Sequence, residues 1–381
     1  MPDKPPKFSL KDHLFNPKKV QKIAAEIKAV HPAFKAADFT ETVLKKFPEL
    51  ELKQRIAWIA ETLRRFLPEN YRDALTVLLN ALPAPNDDTQ SDDDFGDFIY
   101  APYADFVAKF GCNKHDLDLS LNALKEITMR FSAEDAIRYF INAFPEKTLG
   151  VLANWTRDSH YHVRRLVSEG TRPKLPWAQK IALQPEQSLP LLDQLFSDRT
   201  RFVTRSVANH MNDISKIEPD RVLKTLLDWK KSKKQNPAEM EFIVKHALRT
   251  LVKKGYRGAI EFLDYSASPK VALSNLRIKE NRIRIGQTLE FDFELSAQKS
   301  ERLIIDYIMV FQNKKGKADS QKVFKLKQLE LLENQQCMVS KKHRLLADMT
   351  TRKLYPGSHR IEILINGTKA AVADFELLPE V

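Results

Sequence analysis

From Lys18 to about Leu82 the apolar residues recur at helical spacing. Val20, Ile23, Ala24 and Ile27 fall on one helix face, and Ile56, Ile59, Leu63 and Phe66 on another. Prolines at 32, 48 and 68 interrupt the pattern, which predicts short antiparallel helices. Residues 1–16 lack the period and are expected to form a flexible arm. Residues 83–97, PAPNDDTQSDDDFGD, break it again and read as an acidic, solvated loop between helices. Beyond Tyr100 the helical period returns inside a longer one. Asp118, Asp158 and Asp198 are spaced by 40 residues. Each is followed at the fifth position by Ala123, Val163 or Val203, at the seventh by Lys125, Arg165 or Arg205, and at the ninth by Ile127, Val167 or Val207. A helix pair repeating at about 40 residues predicts a HEAT-like solenoid. In it the aspartates are expected to cap the second helix of each pair, and Arg164 to join a ladder between repeats.

Near Lys270 the period changes from helical to two. The segments VALSNLRI, TLEFDFEL, RLIIDYIMVF, KVFKLKQLEL, QCMVSKKHRL, HRIEILI and AAVADFEL read as strands separated by the turns KENR, NKKGK and NGTK. About seven strands in this length predict an immunoglobulin-like β-sandwich. The expected organisation is therefore multidomain, α then β. It comprises an arm over 1–16, a HEAT-like helical domain over 17–266 and a sandwich over 270–381.

Composition narrows the class. With 381 residues, 43% hydrophobic and 29% charged, the chain is expected to be a soluble, cytoplasmic multidomain protein without a signal peptide or membrane span. Only Cys112 and Cys337 occur, outside any metal-binding motif, so neither a metal nor a disulfide is expected. The net charge of +12 is uneven. Residues 51–150 hold 17 acidic and 11 basic side chains, a net of −6, whereas 151–264 hold 13 and 21, a net of +8. A basic surface concentrated there suits a polyanion.

The centre of that basic half is the 24-residue stretch 154–177, NWTRDSHYHVRRLVSEGTRPKLPW, with two tryptophans, five Arg or Lys and a lone Glu. Arg165 and Glu169 are i and i+4 on one helix face. Arg205, Asn209 and Asp213 are i, i+4 and i+8 on the next repeat's face. Stacking places these faces side by side, flanked by Trp155, Arg172, Lys174 and Trp177. The basic runs 230–234 and 253–257 extend the surface or form solvated helix ends. Each candidate also has a structural reading. Glu169 suits an ordinary salt bridge with Arg165. Glu134 suits the first turn of a helix capped by Ser132. Either tryptophan suits a core, and any single base suits surface decoration.

FSAEDAIRYF (131–140), WTRDSHYHVRRLVSEGTRPKLPW (155–177) and VTRSVANHMNDISK (203–216) together resemble the AlkC branch of the AlkD-like DNA glycosylases. The resemblance covers roughly residues 10–264, and the strand-rich remainder is similar to the subset with an appended immunoglobulin-like domain. It implies a bacterial base-excision repair enzyme, a monofunctional glycosylase that removes cationic N3-methyladenine and N3-methylcytosine from double-stranded DNA. It implies no cofactor, no deep base flipping and a monomer. By motif match, Glu169 faces the lesion and the attacking water, with Glu134 and Asp213 as further catalytic acids. Arg165 orients Glu169 or grips a phosphate. Trp177 and Trp155 contact the lesion or its sugar, and Arg172, Lys174, Arg205, Asn209 and Lys216 bind the DNA backbone. Thr204 stands where the resemblance leads one to expect a second arginine. Family counterparts of the sandwich embrace the duplex, and Arg277, Lys279, Arg282 and Arg284 give this one a basic edge. The competing readings are a non-enzymatic HEAT scaffold for nucleic acid or protein, and a sensor that binds lesions without cleaving.

Overall fold

A computed structural model describes residues 9–89, 95–347 and 353–380. It divides into two compact units: residues up to Ile214 with Leu227–Ala247, and Ser215–Leu226 with the residues from Leu248 onward.

The first unit is helical. In Pro17–Val30 the four apolar residues picked out by periodicity are all buried, and Asn16 caps the helix by accepting from Lys19 N–H. Helices Ala36–Lys46, Leu52–Phe66 and Tyr71–Asn80 follow, with breaks at the expected prolines. The described part of the expected flexible arm is ordered. Leu10–Leu14 is a helical turn, Phe15 is fully buried, and the buried Arg55 donates to the Lys11 and Phe15 carbonyls. Residues 1–8 lie outside the described residues, as do 90–94 of the expected acidic loop. The described ends of that loop are strapped down: Asn86 N–H donates to Met129 O and Asp97 N–H to Arg130 O. Gly96 sits at φ +74°, where a Cβ would lie 1.8 Å from Arg130 O, so only glycine fits.

The repeat appears as helices Ala101–Gly111 and Leu117–Thr128, then Pro145–Trp155 and Tyr161–Gly170, then Pro185–Leu195 and Arg201–Ile214. The expected caps at Asp158 and Asp198 do not form: they accept from the N–H groups of His160 and Thr200, before the helices begin, and Tyr161–Gly170 is capped by His160, which accepts from His162 N–H. Asp118 is different: it lies inside the first turn of Leu117–Thr128 and pairs with Lys147. The predicted ladder is present. Lys125 reaches Asp158 at 2.5 Å, and Arg164 grips Asp198 with two bonds of 2.5 and 3.1 Å. At the next rung Thr204 does stand in for a base, but Arg201, one turn earlier, supplies the guanidinium to Glu239 at 2.8 Å while the Thr204 hydroxyl donates to the same carboxylate.

Among the described residues the second unit contains eight strands: β1 (Val271–Ile278), β2 (Arg282–Arg284), β3 (Thr288–Ala297), β4 (Glu301–Gln312), β5 (Ala318–Leu331), β6 (Gln336–Arg344), β7 (Gly357–Ile365) and β8 (Thr368–Leu378). They form two sheets, ordered β1-β3-β6 and β2-β8-β7-β4-β5. Period-2 patterning locates seven of the strands. The three-residue β2, parallel to β8, is too short to show a period and lies at the end of the expected KENR turn. Alternate residues Phe291, Phe293 and Leu295 of β3 and Leu303, Ile305, Tyr307 and Met309 of β4 fill the core between the sheets. Asn366-Gly367, both at positive φ, close the β7–β8 hairpin. On the other face of β4, Ile304 and Asp306 are buried as well. Gly255 packs so closely on Gly367 that a Cβ on either would clash with the other's backbone. Secondary structure changes between 266 and 271, but this close packing ties the chain from Leu248 to the strands.

Candidate active site

Helix Tyr161–Gly170 is buried along its whole length, charged residues included. Burying charge is costly unless each group meets an opposite partner with hydrogen bonds. Here they do. Glu169, 4% exposed, accepts from Arg172 Nη1 at 2.5 Å on Oε1 and from the Ser206 hydroxyl at 2.6 Å on Oε2. Arg165 Nη2 lies 3.9 Å from the same Oε2. Arg172 turns its Nε and Nη2 to Asp213, each at 3.0 Å from Oδ2. At the other end Arg165 Nη1 donates to Glu134 at 2.9 Å and to Ser132 Oγ at 3.1 Å. Glu134, Arg165, Glu169, Arg172 and Asp213 thus form one alternating row. Three carboxylates and two guanidinium groups alternate along it, and Arg138 lies close enough to feel Glu134 and Glu169.

The field is strong because the surroundings exclude water. Burial pushes the Glu169 carboxyl up, but Arg165, Arg172 and the Ser206 hydroxyl outweigh it and hold it below the ordinary carboxylate value. Burial pulls Arg172 down, and Glu169 with Asp213 reverse that and raise it. Arg165 is clamped from another side by the Phe202 ring, 4.4 Å from the guanidinium carbon. Phe95, at the described edge of the 83–97 loop, meets Phe202 edge-on at 5.2 Å.

Sequence reasoning expected Arg165, Glu169 and Arg172 to face outward, and all three are buried. Arg165 and Arg172 are spent on carboxylates, which removes them as simple phosphate grips. Glu134 is the half-buried member of its acid set, and Ser132 does not cap a helix: it donates to Glu134 and accepts from Arg165. Trp155, 6% exposed, belongs to the core, so the expected lesion contact there does not hold. Trp177 is the opposite case. It is 75% exposed in the left-handed region at φ +63°, with its carbonyl held by Lys53 Nζ. Trp177 and Glu134 both line a cavity of about 170 Å³ whose other walls include Phe98, Phe131 and Tyr139. Lys174 is exposed and Arg205 half-buried against Phe202. Asn209 is half-buried, with its side-chain oxygen 2.8 Å from His246 Nε2. Lys216 is exposed and belongs to the second unit. On the sandwich, the expected basic edge is largely neutralised: Arg277 pairs with Asp292, Lys279 with Glu290 and Arg282 with Glu376.

Sequence reasoning missed Ser206, Phe202 and Phe95. Ser206 follows Arg205 directly and lies about 100° round the helix from it, off the face on which Arg205, Asn209 and Asp213 were marked. Among the described residues no group of three or more His, Cys, Asp or Glu side chains is placed to hold a metal ion.

Residues 272–379 match the family model described as the C-terminal Ig-like domain of the uncharacterised protein YhaZ. Uncharacterized protein YhaZ of Bacillus subtilis is 32% identical over 368 residues, covering 96% of this chain and 98% of its own. Among solved structures, Pseudomonas fluorescens alkylpurine DNA glycosylase AlkC, bound to DNA containing an abasic site analog, is 34% identical with a TM-score of 0.88. That match covers 97% of this chain and all of the other. With identity above 30% along nearly the full length, the chain belongs to the AlkC branch of the AlkD-like proteins, in the subset with a C-terminal immunoglobulin-like domain.

Proposed function

We propose that the protein is a DNA-repair glycosylase that hydrolyses the N-glycosidic bond of cationic N3-methyladenine and N3-methylcytosine in duplex DNA. The observation that carries this reading is the carboxylate-rich row Glu134–Arg165–Glu169–Arg172–Asp213, whose Glu134 shares a cavity with the exposed Trp177. An N3-methylated base is a cation in DNA, so its glycosidic bond is already weakened and it departs neutral. Acid catalysis is then of little use. What the reaction needs is an anion near C1′ to stabilise the developing oxocarbenium ion and to orient water. A carboxylate held anionic by two guanidinium groups meets that need. In our reading Glu169 supplies the charge, acting through a water-poor region where fields reach further. Glu134, the half-buried carboxylate on the cavity wall, holds the water. Trp177 offers an aromatic face to the cationic base or sugar, a contact worth about 0.5–2 kcal/mol. An exposed aromatic on a loop makes that contact without a deep pocket, which favours cleavage with the base still largely in the duplex. The exposed Lys174 and the half-buried Arg205 hold phosphates in this reading. The reaction so described uses no cofactor, and we take the enzyme to be a cytoplasmic monomer.

The opposing reading, a DNA-binding scaffold, draws on the complete pairing of Glu169: an acid so well satisfied serves stability too. Release of free methylated base from alkylated duplex, followed chromatographically for wild type and Glu169→Gln, separates the two. Release by the wild type, lost in the variant while it still binds the duplex, is the glycosylase result. Unaltered behaviour of the variant is the scaffold result.

A further inference from the structure

Ser206 and Ser168 face each other where helix Arg201–Ile214 packs on Tyr161–Gly170, and both are buried. Their hydroxyls are 2.7 Å apart, and Ser206 Oγ is 2.6 Å from Glu169 Oε2. The proton positions follow from what each group is able to do. An ionised carboxylate only accepts, so the Ser206 proton points to Glu169. The Ser206 oxygen is then left to accept, and Ser168 donates to it. That commits the single Ser168 proton, which also has the Arg165 carbonyl within 3.1 Å, to the chain leading to Glu169.

One turn on, His210 is fully buried with Nδ1 3.0 Å from the Ser168 carbonyl. A carbonyl only accepts, so Nδ1 carries the proton, and the buried Nε2, which has no hydrogen-bond partner, is bare. The imidazole is therefore neutral and ties the Ser168 main chain to helix Arg201–Ile214. Glu169 is thus aimed from behind by a directional array, His210 to Ser168 and Ser168 to Ser206, and not only by its arginines. Guanidinium groups supply charge on the Oε1 side and at a distance on the Oε2 side. The short directional bond to Oε2 comes from Ser206.

We propose that Ser206 is a positioning residue for the reaction, fixing the orientation and ionisation of Glu169 through a Ser168–Ser206–Glu169 hydrogen-bond chain. This rests on the glycosylase reading above, and the test keeps the two apart.

Three proteins are compared, each full length: wild type, Ser206→Ala and Ser206→Cys. Cysteine keeps the shape of the side chain but is a weak donor, so packing and donation are separated. Single-turnover release of N3-methyladenine from alkylated duplex is measured at saturating enzyme, beside the dissociation constant for the same duplex. Losing a hydrogen bond to a charged group predicts a rate about 10- to 100-fold lower in both variants, with the dissociation constant unchanged. A second readout does not depend on activity: the carboxyl of Glu169, labelled with carbon-13, is titrated by NMR. Arg138, Arg165, Arg172, Asp213 and His210 surround it equally in all three proteins, so the expected upward shift of its midpoint in both variants reports the lost donor. A Cys variant with wild-type rate and wild-type midpoint overturns the proposal, as does a loss that appears only in the dissociation constant. Should Ser206→Ala not fold, Ser206→Cys decides alone. If the wild type itself releases no base, the glycosylase reading fails, while the titration still decides whether Ser206 sets the state of Glu169.

Discussion

Glu169 receives a donor on each oxygen, so Glu169→Gln removes a charge without removing a shape. Two buried guanidinium groups then answer one anion fewer. Arg172 keeps Asp213 and Arg165 keeps Glu134, so the cost is expected to stay below the roughly 3–5 kcal/mol of a buried charge left unanswered. Denaturant unfolding is expected to show that loss with the protein still folded. Trp177→Ala is expected to do the reverse. An exposed side chain away from the core changes stability by less than about 0.5 kcal/mol, yet the variant should lose affinity for methylated duplex relative to unmodified duplex in a direct binding assay. A large loss of stability there would place Trp177 in the fold instead. At this scale the sequence was informative where helical spacing decides the outcome: Arg165 with Glu169, and Asp213 on the neighbouring face, do converge. It was silent on burial. A basic, aromatic helix reads as an outward surface, and the alternating row that makes its interior tolerable is visible only once 134, 169 and 213 are side by side.

The helix pairs are pinned by rungs of charge at their ends. Arg164, with both Asp198 oxygens engaged and both side chains buried, is the strongest of them. Arg164→Ala leaves that carboxylate buried and is expected to cost about 3–5 kcal/mol in denaturant unfolding; a loss below 1 kcal/mol would make the rung ornamental. Helix Arg201–Ile214 adds a pH dependence. Burial lowers the His210 pKa from 6.5 to about 4. Between those values the unfolded chain takes up a proton that the folded protein refuses, so stability falls as pH drops from 6.5 and levels off below 4. The size is about 3 kcal/mol. Glu169, also depressed, adds a loss of the same sign that begins below its ordinary value of 4.5. His210→Asn, which keeps a donor for the Ser168 carbonyl but does not titrate, is expected to flatten the slope above pH 4.5. The 40-residue period foretold the ladder at Arg164, but it made caps of Asp158 and Asp198, which are its carboxylate rungs. Asp118 shares their spacing while lying inside its helix, because Leu117–Thr128 begins 44 residues before Tyr161–Gly170, whereas the next step, Tyr161 to Arg201, is 40. The same limit applies to β2, which pairing with β8 creates and no period announces.

For the molecule as a whole, the charge division between 51–150 and 151–264 seen in composition has a structural counterpart. The basic half supplies exposed Lys174 and the half-buried Arg205, and the basic runs at 230–234 and 253–254 are exposed. The sandwich contributes less free charge than its sequence suggests, since three of its four marked bases are paired with carboxylates. Binding to duplex is therefore expected to be strongly salt-dependent. With six to ten phosphate contacts, affinity falls about 10³- to 10⁵-fold between 50 and 200 mM salt, a slope measurable by fluorescence anisotropy. A flat response would deny the basic half its role. The change from helix to strand was legible in the sequence, whereas the contacts that join the chain from Leu248 to the strands, Gly255 on Gly367 and Tyr265 under Arg302 among them, are recorded by no pattern. What joins these scales is the claim that an anionic Glu169 drives loss of a cationic base. Its most direct test is the single-turnover rate of N3-methyladenine release from alkylated duplex by wild type and Glu169→Gln under saturating enzyme. The account predicts rapid release by the wild type and a loss of about 100-fold or more in the variant, with duplex binding retained. Equal rates, or no release by the wild type, would contradict it.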